Sequence, residues 1–498
     1  MVSEVREYAG RHEYDGVVPD LSPGAVKTRL AALGQGPPDP DPYDEAVLSA
    51  FEAGLRVEYG EAELHRRSPM TLLSELDLSS YDRDYAPAAE RAAARRRHLA
   101  AWPDAIDAGL ESLDMVSAPV AGALLAAVEG LTAGVGEIPA PAPAAHARFV
   151  TRVREAAETG DPDPALGGPL LARLLGVREA LEVDLGRLEE LADAERDRLR
   201  AWLADACARI APGRAIGEVE AGLVADHPEA DGVMEACRAL TGEVIAFTRA
   251  SGLVPGLDGE CEVAEAPLSR RWVMAMISWA APYEADAPSR FYVTPPDPAW
   301  PAAEQAAWLE VFNRATLPAI ALHEVAPGHF AHGRMLRRVS SDVRRTLQSW
   351  AFVEGYAHDA EETAIEAGFR AGDARIEAGV ALESLQRVTR LAVSLGVHGR
   401  TMTMDDAVAR FETDCHLRGV AARAEARRAA FDPTYGRYTW GKLLIRELRG
   451  QAVQRWGAAY SPGRFTRALL ALGSPPLGLM GAALDDTHDS GDTEGSPT

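Results

Sequence analysis

Three histidines and a glutamate in the segment ALHEVAPGHFAHG, residues 321–333, could bind a metal ion. His323 and Glu324 match the start of the zinc-protease pattern H-E-x-x-H, but a proline occupies position 327 and the next histidine is His329. Helical side chains four residues apart share a face, whereas six residues amount to a rotation of about 600° and point apart. His323 and His329 can therefore share a metal only if the backbone leaves the helix between them.

Pro327 and Gly328 lie between the two histidines and are the residue types that such a break needs. Proline removes a helical hydrogen bond and restricts the residue before it, while glycine adopts backbone angles that strain other residues. Glu324 then has the position of the general base in zinc hydrolases. A helix end with internally satisfied histidines is the alternative, and His332 is interpreted as a polar neighbour.

The third metal ligand must come from another segment, because catalytic zinc has three protein ligands and one open position. In WAFVEGYAHDAEETAIEAG, residues 350–368, Glu354, His358 and Glu361 recur at i, i+4 and i+7 on one face of a predicted helix. A buried glutamate is costly unless it is paired or bound to metal. We predict Glu354 as the third ligand of one Zn²⁺ ion, with Glu361 or His358 orienting a ligand histidine. A solvated acidic face is the alternative.

The elements that must position these residues are predicted to be helical. An apolar helical segment leads into the first histidine, and leucines at three- and four-residue steps over 170–210 predict one or two long amphipathic helices. The segment SRFYVTPPDP, 289–298, is the best strand. We predict a mainly α fold, one large helical body with a cleft and a small central β element. Residues 1–480 are predicted to form a single domain, divisible into lobes 1–250 and 251–480, followed by a disordered acidic tail at 485–498.

Composition restricts the class of function. The chain of 498 residues has a formal net charge of −24, which argues against nucleic-acid binding and against docking on an anionic membrane. The chain contains no apolar run of the roughly 18 residues that a membrane helix requires, and its N-terminal segment lacks the apolar core of a signal peptide. Four widely spaced cysteines predict free thiols in a reducing compartment. We therefore expect a cytoplasmic protein that acts on a small molecule or a short peptide; the sequence does not predict its oligomeric state.

The combination of HEVAPGHF and FVEGYAHDAEE resembles the bacterial family known as domain of unknown function 885. Its signature is H-E-x-x-P-G-H followed by E-G-W-A-x-Y-x-E. Further similar blocks are SPMTLLSELDLSSYDRDYAP, RFYVTPPDP, RLAVSLGVHGRTMTMDDAVARF, YTWGKLLIRELR and GSPPLGLM. The family looks like a distant relative of helical zinc metallopeptidases of the gluzincin type. The resemblance thus implies a metallopeptidase-like zinc enzyme with ligands at His323, His329 and Glu354.

The blocks that resemble the family also carry four further candidate residues. His398 and Tyr438 are candidates, beside the catalytic Glu324, to stabilise charge on a tetrahedral intermediate. Arg390 or Arg446 could clamp a substrate carboxylate with two parallel hydrogen bonds. Internal salt bridges or helix packing are the alternative for both arginines.

Several positions around the motifs depart from the family pattern. Phe330 stands where a further histidine often follows, Asp359 replaces a tyrosine and Ser394 an aspartate. We therefore carry two hypotheses of function. The first is a zinc-dependent hydrolase of an amide or peptide bond. The second is a zinc-dependent lyase, transferase or rearrangement enzyme of specialised-metabolite biosynthesis. A metal-binding but inactive scaffold is a third interpretation, against which the retained Glu324 weighs.

Overall fold

The computed structural model of the protein describes residues 2–271, 274–417 and 419–485, and it is mainly α. The helices before the sheet are α1 Val2–Glu4, α2 Pro23–Ala32, α3 Pro42–Leu55, α4 Leu64–Arg67, α5 Pro69–Leu76, α6 Ala88–Ser112, α7 Ala118–Gly130, α8 Ala142–Thr159, α9 Gly168–Gly176, α10 Leu185–Ile210, α11 Ile216–Ala225 and α12 Val233–Ser251. The helices after it are α13 Ala302–Leu309, α14 Thr316–Glu324, α15 His329–Leu336, α16 Asp342–Thr346, α17 Trp350–Glu366, α18 Ala374–Gly399, α19 Met404–Asp414, α20 Val420–Phe431, α21 Arg437–Trp456 and α22 Pro462–Leu470. Apart from Asp485, the predicted acidic tail lies outside the described residues.

A small mixed sheet interrupts the helices near the middle of the chain. Its strands are β1 Cys261–Glu265, β2 Ala275–Ser278 and β3 Ser289–Val293, in the order β1-β3-β2. The central strand β3 pairs in parallel with β1 and antiparallel with β2. Phe291 and Val293 are fully buried. The prediction of a mainly α fold with a small central β element is therefore confirmed, and β3 ends before the prolines that follow it.

Two clusters of buried apolar side chains form the interior. One is built by residues between Leu21 and Val153 with Ala430, and the larger one by residues between Leu171 and Leu484. The leucine-rich segment 170–210 forms α9 and α10, and the Asp184 side chain caps α10 by accepting a hydrogen bond from the Arg187 amide. The division of the chain into one domain or two lobes stays a prediction.

Helices α17 and α21 approach each other through two glycines. A Cβ atom built on Gly441 would lie 1.9 Å from the Ala351 carbonyl oxygen, and one built on Gly355 would lie 2.5 Å from Gly441. Any larger residue would therefore force the two helices apart. This contact matters for the site, because Glu354 immediately precedes one glycine and Tyr438 lies one turn before the other.

Buried charges join the same two helices to α10. Lys442 is fully buried, and its ammonium group donates a 2.8 Å hydrogen bond to Glu195 and a shorter one to Glu362. Glu362 also accepts from Arg198. These cations hold the pKa of Glu362 well below its usual range, although burial, the largest effect, acts in the opposite direction.

The cysteines and the helix lengths bear on two further predictions from the sequence. All four cysteines are free and buried. Across the described part of the chain, no helix has both the length and the apolar character needed to cross a bilayer. The cytoplasmic location stays a prediction.

Candidate metal centre

The predicted break between the two histidines is present. Helix α14 ends at Glu324, α15 begins at His329, and the Gly328 amide donates a 3.0 Å hydrogen bond to the Leu322 carbonyl. Gly328 has a φ of −73°, so its backbone angles are not the left-handed ones that favour glycine. A Cβ there would lie 1.9 Å from the His323 carbonyl oxygen. Glycine is needed at this position because the chain doubles back against its own backbone.

The structure brings His323, His329 and Glu354 together. Glu354 Oε2 lies 3.4 Å from Nε2 of each histidine, and the three ligand atoms lie within 4.8 Å of one another. An ion held tetrahedrally at about 2.1 Å keeps its ligand atoms about 3.4 Å apart. Glu354 Oε2 is also buried and makes no hydrogen bond within the described residues. The site therefore has the donor types and the spacing that a zinc ion requires.

Glu361 orients the first ligand. Its Oε1 accepts a 2.7 Å hydrogen bond from His323 Nδ1, and its Oε2 accepts a 3.0 Å bond from Arg387. With Nδ1 engaged, His323 presents Nε2 toward Glu354 and the metal position. Burial, the largest effect, raises the pKa of Glu361, but Arg387 and the neighbouring imidazoles outweigh it and keep this pKa well below its usual value.

Two carboxylates raise the proton affinity of His323 when no metal competes for it. Burial, the largest effect, lowers the pKa of His323, yet the 3.4 Å contact with Glu354 and the hydrogen bond to Glu361 outweigh it and raise the pKa to about 9. Burial, the largest effect, raises the pKa of Glu354, but the imidazoles of His323 and His329 outweigh it and hold this pKa well below its usual range. Without metal, His323 is therefore protonated beside the ionised Glu354, and a metal ion must displace that proton to bind.

Glu324 is held by the edge of the sheet. Its Oε2 accepts a 2.9 Å hydrogen bond from the backbone amide of Ile277 in β2. Among the described residues this is the carboxylate's only hydrogen bond, and the side chain is partly exposed. Since the preceding residue is a metal ligand, a fixed carboxylate with one open oxygen beside the metal position can accept and deliver a proton.

Tyr438 is the second residue beside the ligands. Its ring stacks on His323 with a centroid distance of 6.3 Å and an interplanar angle of 22°. Burial, and then the charge of Glu354, raise the pKa of Tyr438, so the phenol keeps its proton at neutral pH. Within the part of the chain that is described, its hydroxyl has no hydrogen-bond partner. A neutral donor is thus available next to the metal position.

His398 is not brought to the ligands. It lies at the last turn of α18, eleven residues beyond Arg387, which corresponds to about 16 Å along a helix. Its Nε2 instead bonds to the Ala429 carbonyl at 2.7 Å. This placement does not fit the predicted stabilisation of a reaction intermediate, and the histidine joins α18 to α20.

The two predicted substrate-binding arginines are already paired. Arg390 donates two hydrogen bonds of 2.9 and 3.0 Å to Glu425, and Arg446 donates hydrogen bonds to Glu362 and Glu366 of α17. Both therefore follow the alternative of internal salt bridges. Arg390 still lies beside the site, because its guanidinium carbon is 5.5 Å from the Tyr438 ring centre.

The other histidines of this region have structural surroundings. His358 is fully buried, its Nδ1 lies 3.5 Å from Glu361 Oε1, and burial lowers its pKa to about 3. It does not contact a ligand histidine, so Glu361 alone has the predicted orienting position. His332 Nε2 shares a 3.0 Å hydrogen bond with Ser474 and is a polar neighbour, as interpreted from the sequence.

Sequence reasoning missed two residues that position this site, Arg387 and Ile277, and a third, Arg428, whose charge acts on Tyr438. For Arg387 a signal was present, since a cation within an apolar helical stretch implies a buried partner. Ile277 acts through its backbone amide, which no side-chain pattern reveals. Arg428 lies on a helix with many surface arginines, and the sequence does not distinguish it from them.

Comparison with known proteins supports a family and a fold. The profile of a family described as bacterial protein of unknown function (DUF885) matches residues 126–484. No curated protein matches the chain. A solved structure titled as a "putative lipoprotein of unknown function" from Shewanella oneidensis has a TM-score of 0.77 at 18% identity, covering 96% of this chain and 95% of that chain. A "putative lipoprotein" from Colwellia psychrerythraea has a TM-score of 0.71 at 14% identity, covering 94% and 92%.

At these identities the two structures establish the fold and not the activity. The family profile, however, spans more than half of the chain and includes every residue of the candidate metal centre. The protein therefore belongs to the DUF885 family of bacterial proteins of unknown function.

Proposed function

We propose that the protein is a zinc-dependent hydrolase that cleaves an amide or peptide bond in a small substrate. The observation that carries this proposal is the convergence of His323 Nε2, His329 Nε2 and Glu354 Oε2 on one point beside Glu324. Two histidines and a glutamate are the donor set of gluzincin-type zinc peptidases, and the proposal includes a distant relationship to them.

The three ligands would hold the ion, and Glu361 would fix the orientation of His323. When bound, zinc supplies a Lewis acid that polarises a carbonyl and lowers the pKa of water to about 7. Glu324, held by the Ile277 amide, takes one proton from the attacking water. The water oxygen adds to the carbonyl carbon, the C–N bond breaks, and Glu324 delivers the proton to the leaving nitrogen.

Tyr438 has the geometry to assist the same step. Because its phenol is protonated at neutral pH and unpaired within the described residues, it can donate a hydrogen bond to the oxygen on which negative charge develops. We assign it the role that the sequence had shared between Tyr438 and His398. Loss of one such donor typically lowers kcat by a factor of about 10² to 10³.

Metal content and turnover in matched variants test the proposal. Protein purified without chelators should contain about one zinc per chain. Glu324→Gln should retain the zinc and lose turnover of short peptides and N-acyl amino acids by a factor of about 10² to 10⁴. His329→Ala should lose the zinc. Glu412→Gln on the surface of α19 and His227→Ala in a loop are the controls, because neither contacts the site.

Each outcome separates the metal site from the chemistry. Absence of zinc from protein never exposed to a chelator, or zinc retained in His329→Ala, would overturn the ligand assignment. A zinc-loaded protein that turns over no member of the panel would overturn hydrolysis and leave the ligand set intact.

A further inference from the structure

Arg428, in the last turn of α20, is an arginine without a close partner. Its guanidinium donates no hydrogen bond within the described residues, and its ion pair with Asp432 is long, at 3.9 Å. That carboxylate is already engaged by a shorter contact with Arg437. Since 37% of the Arg428 side chain is exposed and its guanidinium makes no hydrogen bond among the described residues, it can accept a ligand from solvent.

The arginines around it differ in this respect. Arg390 is bidentate to Glu425, and Arg387 lies between Glu361 and Glu383 at 3.0 and 3.5 Å. These cations are therefore neutralised inside the fold. In a protein with a net charge of −24, a half-exposed cation whose ion pair is this long can attract an anion.

Ring contacts connect Arg428 to the metal centre. Its guanidinium carbon lies 4.2 Å from the centre of the Tyr435 ring, and Arg390 lies over both Tyr435 and Tyr438. Tyr438 in turn stacks on the ligand His323. Arg428 thus lies on the side of the metal centre that Tyr438 forms.

We infer that Arg428 binds a carboxylate of the substrate, so that the enzyme selects short peptides or acyl-amino acids with a free carboxylate near the scissile amide. A guanidinium offers a rigid fork that matches a carboxylate with two hydrogen bonds, and stacking on Tyr435 fixes the plane of that fork. The inference rests on the proposed function, because the scissile bond defines where the carboxylate must lie.

Binding to a non-hydrolysing protein tests the inference directly. Zinc-loaded Glu324→Gln is titrated calorimetrically with N-benzoyl dipeptides and tripeptides, each as the free acid and as the C-terminal amide. We expect every bound acid to bind about tenfold or more tightly than its amide, as for a hydrogen-bonded charge pair. Adding Arg428→Ala should remove this difference by weakening the acid and leaving the amide unchanged.

Two further variants separate the carboxylate contact from other effects. Arg427→Ala removes a neighbouring exposed arginine from the same helix and should keep the full preference. Arg428→Lys keeps the charge without the fork and should keep part of it. Zinc content and the midpoint of thermal unfolding, measured for each variant, identify any loss of structure, and the lysine variant serves if the alanine variant does not fold.

The outcomes distinguish this inference from the proposed hydrolysis. An equal affinity for acid and amide, an unchanged preference in Arg428→Ala, or no binding of any acid at millimolar concentration would overturn the inference. Selective acid binding without turnover by the wild-type protein would overturn hydrolysis and retain the carboxylate site. Turnover that is equal for acids and amides would support hydrolysis and overturn the carboxylate site.

Discussion

Replacing Glu361 by glutamine should weaken zinc binding by about ten- to hundredfold without removing a metal ligand. In the native site, one oxygen of Glu361 accepts from His323 at 2.7 Å and the other accepts from Arg387 at 3.0 Å. A carboxamide has the same shape but one acceptor, so it can satisfy only one of these donors. Either the ligand histidine loses its orientation or a buried arginine faces a second donor.

The expected loss of zinc affinity is typical for a residue that orients a metal ligand. A ten- to hundredfold change in affinity corresponds to about 1.4 to 2.7 kcal/mol. The comparison belongs near pH 9, because the pKa of the metal-free His323 is about 9 and its proton competes with zinc at lower pH. Glutamine removes part of that competition, so the loss of affinity should be smaller at pH 7 than at pH 9.

Zinc affinity is measured by competition with a chromophoric chelator, and stability by denaturant unfolding. Glu361→Gln should also destabilise the fold by about 1 to 3 kcal/mol, because Arg387 keeps only the 3.5 Å contact with Glu383. The double variant Glu361→Gln with Arg387→Met should regain stability but not affinity. Glu412→Gln is the control. Unchanged zinc affinity near pH 9 in Glu361→Gln would refute the reasoning that this carboxylate orients His323.

Two further predictions concern protons and helix packing. Zinc binding at pH 7.5 should release about one proton, because the pKa of the metal-free His323 is about 9 and a ligand histidine must be neutral, so the apparent zinc affinity should rise with pH up to about 9. Calorimetry in buffers of different ionisation enthalpy measures the proton release, and a binding enthalpy that does not depend on the buffer would contradict it. Gly441→Ala should lower kcat while the zinc content stays near one per chain, because the new Cβ would lie 1.9 Å from the Ala351 carbonyl oxygen and push Tyr438 away from the ligands. The control Gly450→Ala, in open space on the same helix, should leave kcat unchanged.

The part of the site that depends on local chain geometry could be predicted from the sequence. His323, Glu324 and His329 lie within seven residues, and Pro327 with Gly328 indicates the break between them. Glu354 and Glu361 share one helical face, which fixes their relative direction before any tertiary contact is known. The helix periodicity likewise predicted α10, α14 and α17.

The remaining roles depend on partners that lie far apart in the sequence. Nothing local to Arg390 shows that Glu425 neutralises it, or that Arg446 faces Glu362 rather than the metal. His398 bonds to a carbonyl of another helix, and a backbone acceptor leaves no trace in the sequence. The same holds for Arg428, whose distinguishing property is a long ion pair without a hydrogen bond.

Neighbouring glutamates on α17 point in directions about 100° apart around the helix, and each contacts its own set of cations. Glu361 meets His323 and Arg387, whereas Glu362 meets Lys442 and Arg198. Rotating the helix about its axis would break both sets at once, so its angle is set before any ion arrives. The metal-free protein therefore keeps Glu354 next to the two histidines, and the metal binds to a site that is already folded. A zinc-finger domain, by contrast, obtains its fold from the ion.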